Sequence, residues 1–131
     1  MACFLVSAAE AVVVTAVEKV EEKKELKAAE AGEVKAEETK VPFSRKLKWL
    51  ARLLWGGAFL LMFEHIWHGE VVAWFPFLTA MSDPEDAMEM FKEMATVGVT
   101  MALLITVVWG VMCIAADSIM KRSAVDSKQK A

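Results

Sequence analysis

Apolar residues along this chain fall into three blocks divided by charge. The first covers residues 2–17 and is interrupted only by Ser7, Glu10 and Thr15. Continued to Val20 as a helix, it would measure about 28 Å at about 1.5 Å per residue, just enough to cross a hydrocarbon core. Glu10 opposes a crossing, since an acid at mid-bilayer costs on the order of 2.5–3.5 kcal/mol. Ala8, Ala9 and Ala11 offer little apolar area in compensation, so the acid needs shielding by neighbouring helices. Residues 18–41 then switch to lysine, glutamate, alanine and valine. Pairs such as Glu21 with Lys24 support a solvated helix weakly. Apolar positions there are too sparse to bury a face, and beyond Gly32 the composition is that of a charged linker.

The second block follows Pro42 and Ser44, a helix-breaking residue and a good N-cap. It has a basic foot (Arg45, Lys46, Lys48, Arg52), an apolar shaft over 53–63, and a polar head of Glu64, His65, Trp67, His68, Gly69 and Glu70. A helix over 45–68 is long enough to cross with some tilt. Trp49 and Trp67 fall near its two ends, as interface anchors do, and Gly69 is a natural stop. The connection 69–83 is nearly all apolar, and Pro76 prevents a smooth helix through it. Trp74, Phe75, Phe77 and Leu78 are expected to dip into the headgroup region, with Trp74 as a third anchor. The third block opens with Ser82-Asp83-Pro84-Glu85-Asp86, which combines a cap, proline at the first helical position and acids in the first turn. Its amphipathic start gives way to an apolar run over 94–116, and Asp117, Lys121 and Arg122 mark the exit. Residues 123–131 read as a frayed polar tail.

The pattern predicts an all-α integral membrane protein. Its centre is an antiparallel transmembrane hairpin of about 45–68 and 84–121. An apolar helix over about 2–20 leans on it and is expected to span as a third helix. The segments are then 1–20 (apolar helix), 21–44 (charged cytoplasmic linker), 45–122 (hairpin with outer loop 69–83) and 123–131 (cytoplasmic tail).

Composition strengthens this picture. Of 131 residues, 56% are hydrophobic, above the level usual in soluble domains. Five tryptophans and no tyrosine suit a chain with interfacial belts. Cys3 and Cys113 both sit in apolar surroundings, where a thiol behaves as a small hydrophobe, and they imply no disulfide framework. The net charge of −3 matters less than its segregation. Basic residues cluster before the second block and after the third, whereas 69–93 carries Lys92 against six acids. The positive-inside rule therefore places the linker and the C-terminal tail in the cytoplasm and the 69–83 loop outside. A prokaryotic inner membrane fits that arrangement.

Small residues suggest how helices would meet in lipid, where close approach replaces water exclusion. Gly98, Ala102, Thr106, Gly110 and Cys113 recur at helical spacing on the third block. On the second, Gly57 begins a face that continues through Leu61 and Glu64 to His68.

Candidate chemistry is confined to one turn. Glu64, His65, His68 and Glu70 bring imidazole and carboxylate together at spacings of three and four, which suits a divalent metal approached from one helix. The set is incomplete, so a divalent metal or a haem would need ligands from the last helix or from a second copy; no cofactor is otherwise called for. A weaker alternative is proton movement along Glu10, Glu64 and Asp117. Met90 and Met94, four apart near the outer face, resemble the methionine filter of eukaryotic-type copper transporters. That resemblance is confined to the one motif, and the Gly-x-x-x-Gly that accompanies it in those proteins is missing here. There is no Gly-rich phosphate loop, nucleophile elbow, Cys-x-x-Cys or concentrated basic patch for nucleic acid. The expectation is a non-enzymatic accessory or scaffold subunit, whose partners are the bilayer and either another membrane protein or further copies of itself.

Overall fold

The computed structural model describes residues 2–32 and 40–131; part of the expected linker, 33–39, lies outside the described residues. The described chain is helical, with one isolated antiparallel bridge between Val71 and Leu78. Helix α1 is Phe4–Glu30 and α2 is Phe43–Trp67. A short 3₁₀ turn, Thr79–Ser82, precedes α3 (Pro84–Glu93). A π-helical turn, Met94–Gly98, joins α3 to α4 (Val99–Lys130), so that Pro84–Lys130 forms one rod.

Helix ends follow local chemistry. Asp83 caps α3 by accepting from the Glu85 N–H at 2.9 Å, with Pro84 next in line. Gly69 stops α2 at φ +73, and the Glu70 N–H reaches back to the His65 carbonyl at 2.9 Å. Gly32, at φ +70, ends α1 in a similar way. The expected boundary near residue 20 is therefore corrected: α1 runs on to Glu30, because its charged last turns pack on the start of α2 instead of trailing as a tether. The polar tail is helical, with α4 continuing to Lys130.

The three long helices form a bundle whose closest pair is α1 with α2, not α2 with α4. Contacts of Phe4 with His65, Thr15 with Trp55 and Glu25 with Ser44 show α1 and α2 antiparallel along their length. Helix α4 runs parallel to α1, with Gly98 beside Val6 and Thr106 beside Glu10. The buried core is thin. Ala11, Leu50 and Leu54 form it, with Val14, Ile105 and Trp109 packed around them.

Most large apolar side chains face outward, among them Leu60, Phe63, Leu104, Val107 and Ile114. Pro84–Lys130 is the one described helix long and apolar enough to cross a membrane, with mean hydropathy 2.4 in its most apolar window. Only 17% of that window is buried, whereas the core helix of a soluble protein would be mostly buried. The stretches of the other two helices are shorter. In α2, 53–63 spans about 17 Å between Arg52 and Glu64 at about 1.5 Å per residue. In α1, 4–17 spans about 21 Å and contains Glu10.

Candidate functional site

Polar side chains collect at the two ends of the bundle. At the head, the expected cluster is held by the last turn of α2 and the loop that follows. His65 is buried, and its ring meets Phe4 edge-on with centroids 5.5 Å apart. His65 Nδ1 lies 2.6 Å from the Leu61 carbonyl oxygen. A carbonyl only accepts, so Nδ1 carries a proton in this contact. The other nitrogen, Nε2, faces the Glu70 carboxylate at 3.8 Å, beyond hydrogen-bond range. Glu64 and His68 are exposed. A cleft of about 280 Å³ opens here, and Glu64, His65, His68 and Glu70 all line it, together with Cys3 and Glu93. Glu93 does approach from across the bundle. Even so, no group of three His, Cys, Asp or Glu side chains positioned for a metal occurs among the described residues. Of the two methionines four apart near the outer face, Met90 is buried and Met94 is half-buried.

The foot is more densely connected. Lys46 on α2 meets Asp117 on α4 at 2.7 Å, and Asp117 also accepts from the Val41 N–H at 3.4 Å. Hydrogen bonding from Lys46 is the main influence holding the Asp117 carboxyl below its ordinary range, with the Val41 N–H acting in the same direction. Trp109 donates its indole N–H to the Lys46 carbonyl at 2.6 Å. From α1, Glu18 is buried against Lys48 at 3.5 Å. Ser44 is not the N-cap it was expected to be. It lies inside α2, and its N–H and hydroxyl both donate to the Glu25 carboxylate, at 3.2 and 2.6 Å. A carboxylate from α1 thus occupies the positive end of α2, whose own N-cap, Pro42, has no side-chain acceptor.

Between the two ends, Thr106 Oγ1 lies 2.8 Å from Glu10 Oε1 and 3.0 Å from the Ala102 carbonyl. Of the small-residue positions, Gly98 and Ala102 are buried, and Gly98 lies against Val6 and the Cys3 backbone. Gly57 faces Ile105, while Gly110 looks into open space. Trp67 and Trp74 are exposed and Trp49 half-buried. The loop tip presents Trp74, Phe75 and Phe77, all exposed.

Sequence reasoning marked the foot as a source of charge, but it missed the clamp joining three helices through Glu18, Glu25 and Asp117. Acid and base types at the ends of adjacent apolar blocks were the available signal. The missing information was which helix faces which. Comparison with protein-family models, curated proteins and solved structures finds no match.

Proposed function

We infer that the chain is a multi-pass integral membrane protein, built as a three-helix bundle that serves as an accessory or scaffold subunit of a membrane complex. The observation that carries the reading is the exposure of the apolar run in α4 together with the levels of the polar contacts. Glu18, Lys48, Lys46 and Asp117 meet at one level. Phe4, His65 and Gly98 mark another. Along the helix axes these levels are separated by about 21 Å in α1, about 26 Å in α2 and about 28 Å in α4, at about 1.5 Å per residue. Those heights approach a hydrocarbon thickness of about 27–30 Å once tilt and thinning are allowed for.

Several details support the shorter helices as spans. Glu10 has a hydroxyl partner on α4, which lowers the cost of an acid at depth. Arg52 sits on an α2 side-chain row that leans toward the N-terminal foot, so its head can reach the rim. The foot, linker and C-terminus are cytoplasmic in this reading, and the aromatic loop tip is outside. A scaffold role accords with the large outward apolar area and with the absence of a catalytic set from the sequence.

Two measurements test it. Membranes from expressing cells, washed at alkaline pH, should retain the full-length protein; its release into the wash would end the integral reading. Purification in mild detergent should yield a stoichiometric partner or a homo-oligomer. A monodisperse monomer with neither would remove the scaffold role.

A further inference from the structure

The groove between α2 and α4 near the foot has chemistry that the packing of the bundle does not use. Its volume is about 490 Å³, within the range of small-molecule sites of roughly 300–1,000 Å³. Leu53 and Met112 form apolar walls, and the successive alanines Ala115 and Ala116 leave the gap between the helices. Ile119 continues the wall past the level of Asp117. Trp49 and Arg52 lie on the α2 side, and no acid lines the groove.

Two cations of the foot, Arg45 and Arg52, have no acidic partner among the described residues, and of the two only Arg52 lines this groove. Lys46 is matched by Asp117 and Lys48 by Glu18. Arg52 is exposed and makes no ion pair or hydrogen bond with the described residues. Asp117, the nearest acid in sequence to the α4 wall, is already engaged by Lys46, so the groove mouth keeps a net positive charge. Ala116 and Ile119 lie at the foot level that Asp117 marks, whereas Arg52 and Leu53 lie about 6–7 residues deeper on α2, with the Arg52 side chain leaning back toward the foot.

We propose that this groove holds an anionic phospholipid, with its phosphate on Arg52 above Ala115 and one acyl chain running inward against Leu53 and Met112. Guanidinium offers paired donors to phosphate oxygens, and a basic pocket between helices on the cytoplasmic side is a recognised form of headgroup capture. Trp49 supplies the interfacial ring beside it. A zwitterionic lipid fits the apolar part equally well but carries a choline cation toward Arg52, so charge complementarity selects the anionic headgroup. This site rests on the membrane reading above.

The test uses the full chain reconstituted with palmitoyl-oleoyl phosphatidylglycerol or phosphatidylcholine. Native mass spectrometry should find one phosphatidylglycerol retained, at least tenfold more than phosphatidylcholine. Arg52→Gln should abolish that preference, and Arg52→Lys should keep part of it. Arg45→Gln, which removes a cation at the same rim outside the groove, should leave it unchanged. Ala115→Trp, which fills the groove with every charge intact, should lose the bound lipid while circular dichroism shows native helicity. Equal losses in Arg45→Gln and Arg52→Gln would reduce the effect to general surface charge and overturn the site. Retention of the lipid in Ala115→Trp would do the same, as would a dimer that Ala115→Trp dissolves with no lipid preference in the wild type. Flotation separates the two levels of failure. Protein that floats with both vesicle types without retaining phosphatidylglycerol refutes the groove alone. Protein that floats with neither refutes the membrane reading as well.

Discussion

A methyl group placed on Gly98 would lie 2.8 Å from Val6 Cγ2 and 3.3 Å from the Cys3 carbonyl oxygen. Something in α1 must then move, and the backbone oxygen is the less yielding neighbour. Gly98→Ala should destabilise the bundle by about 1–3 kcal/mol, the usual cost of overpacking. Gly110→Ala, on the same row of the same rod but in open space, should be neutral or slightly stabilising, because alanine is the better helix former. Reversible unfolding in mixed micelles distinguishes the two variants, and equal effects would contradict the asymmetry of the row. Asp117 gives a pH signature. Its folded pKa lies below the ordinary 3.8, so the unfolded chain binds the proton more readily. The contribution of the Asp117–Lys46 pair is therefore complete above about pH 3.8 and is lost as pH falls below that value toward the folded pKa. Asp117→Asn should flatten stability against pH in that acid window and leave the neutral region parallel to wild type.

At the scale of elements, the junction of α1 and α2 depends on Glu25 taking the donors at the start of α2. Pro42 cannot do so, and Ser44 spends its hydroxyl on the same carboxylate. Glu25→Ala should cost about 0.5–2 kcal/mol, in the range of a lost N-cap. Glu25→Gln should cost less, because an acceptor remains while the favourable charge at the helix end is lost. Thermal melts followed by circular dichroism would show the order wild type, Gln, Ala; a Gln variant as weak as Ala would mean that charge alone matters. Element starts and stops were largely legible in the sequence. Asp83, Pro84 and Gly69 act where they stand, through their own backbone geometry. Ser44 was misassigned because its donors and acceptor are chosen by a residue 19 positions away. The end of α1 was missed for the same reason: residues 21–30 lack apolar periodicity, and their helix is held by contacts with α2.

For the molecule as a whole, the proposed topology puts both the foot and the C-terminus on the cytoplasmic side. A cytoplasmic reporter fused after Ala131 should be active, and an export-dependent reporter at the same position silent. The reverse result would invert the orientation. Pairing of Lys46 and Lys48 with acids does not weaken that expectation, because orientation follows the lysine and arginine count more than net charge.

The head cluster shows where sequence reading runs out. Spacing put Glu64, His65, His68 and Glu70 within one turn and the start of the next loop. Tertiary structure turned His65 inward onto Phe4 and the Leu61 carbonyl, leaving Glu64 and His68 exposed. What the sequence determined by itself was the helical class, the segregated charge, the helix start at Asp83 and Pro84, the stop at Gly69 and the long apolar run of the third block, since each depends on neighbours within a turn or two. Only the tertiary structure decided that α1 and α2 are the closest pair, that acids from α1 and α4 clamp the basic foot, and that Glu10 meets Thr106. Those contacts join residues dozens of positions apart, and helical periodicity shows which face a residue is on but not which helix that face will meet.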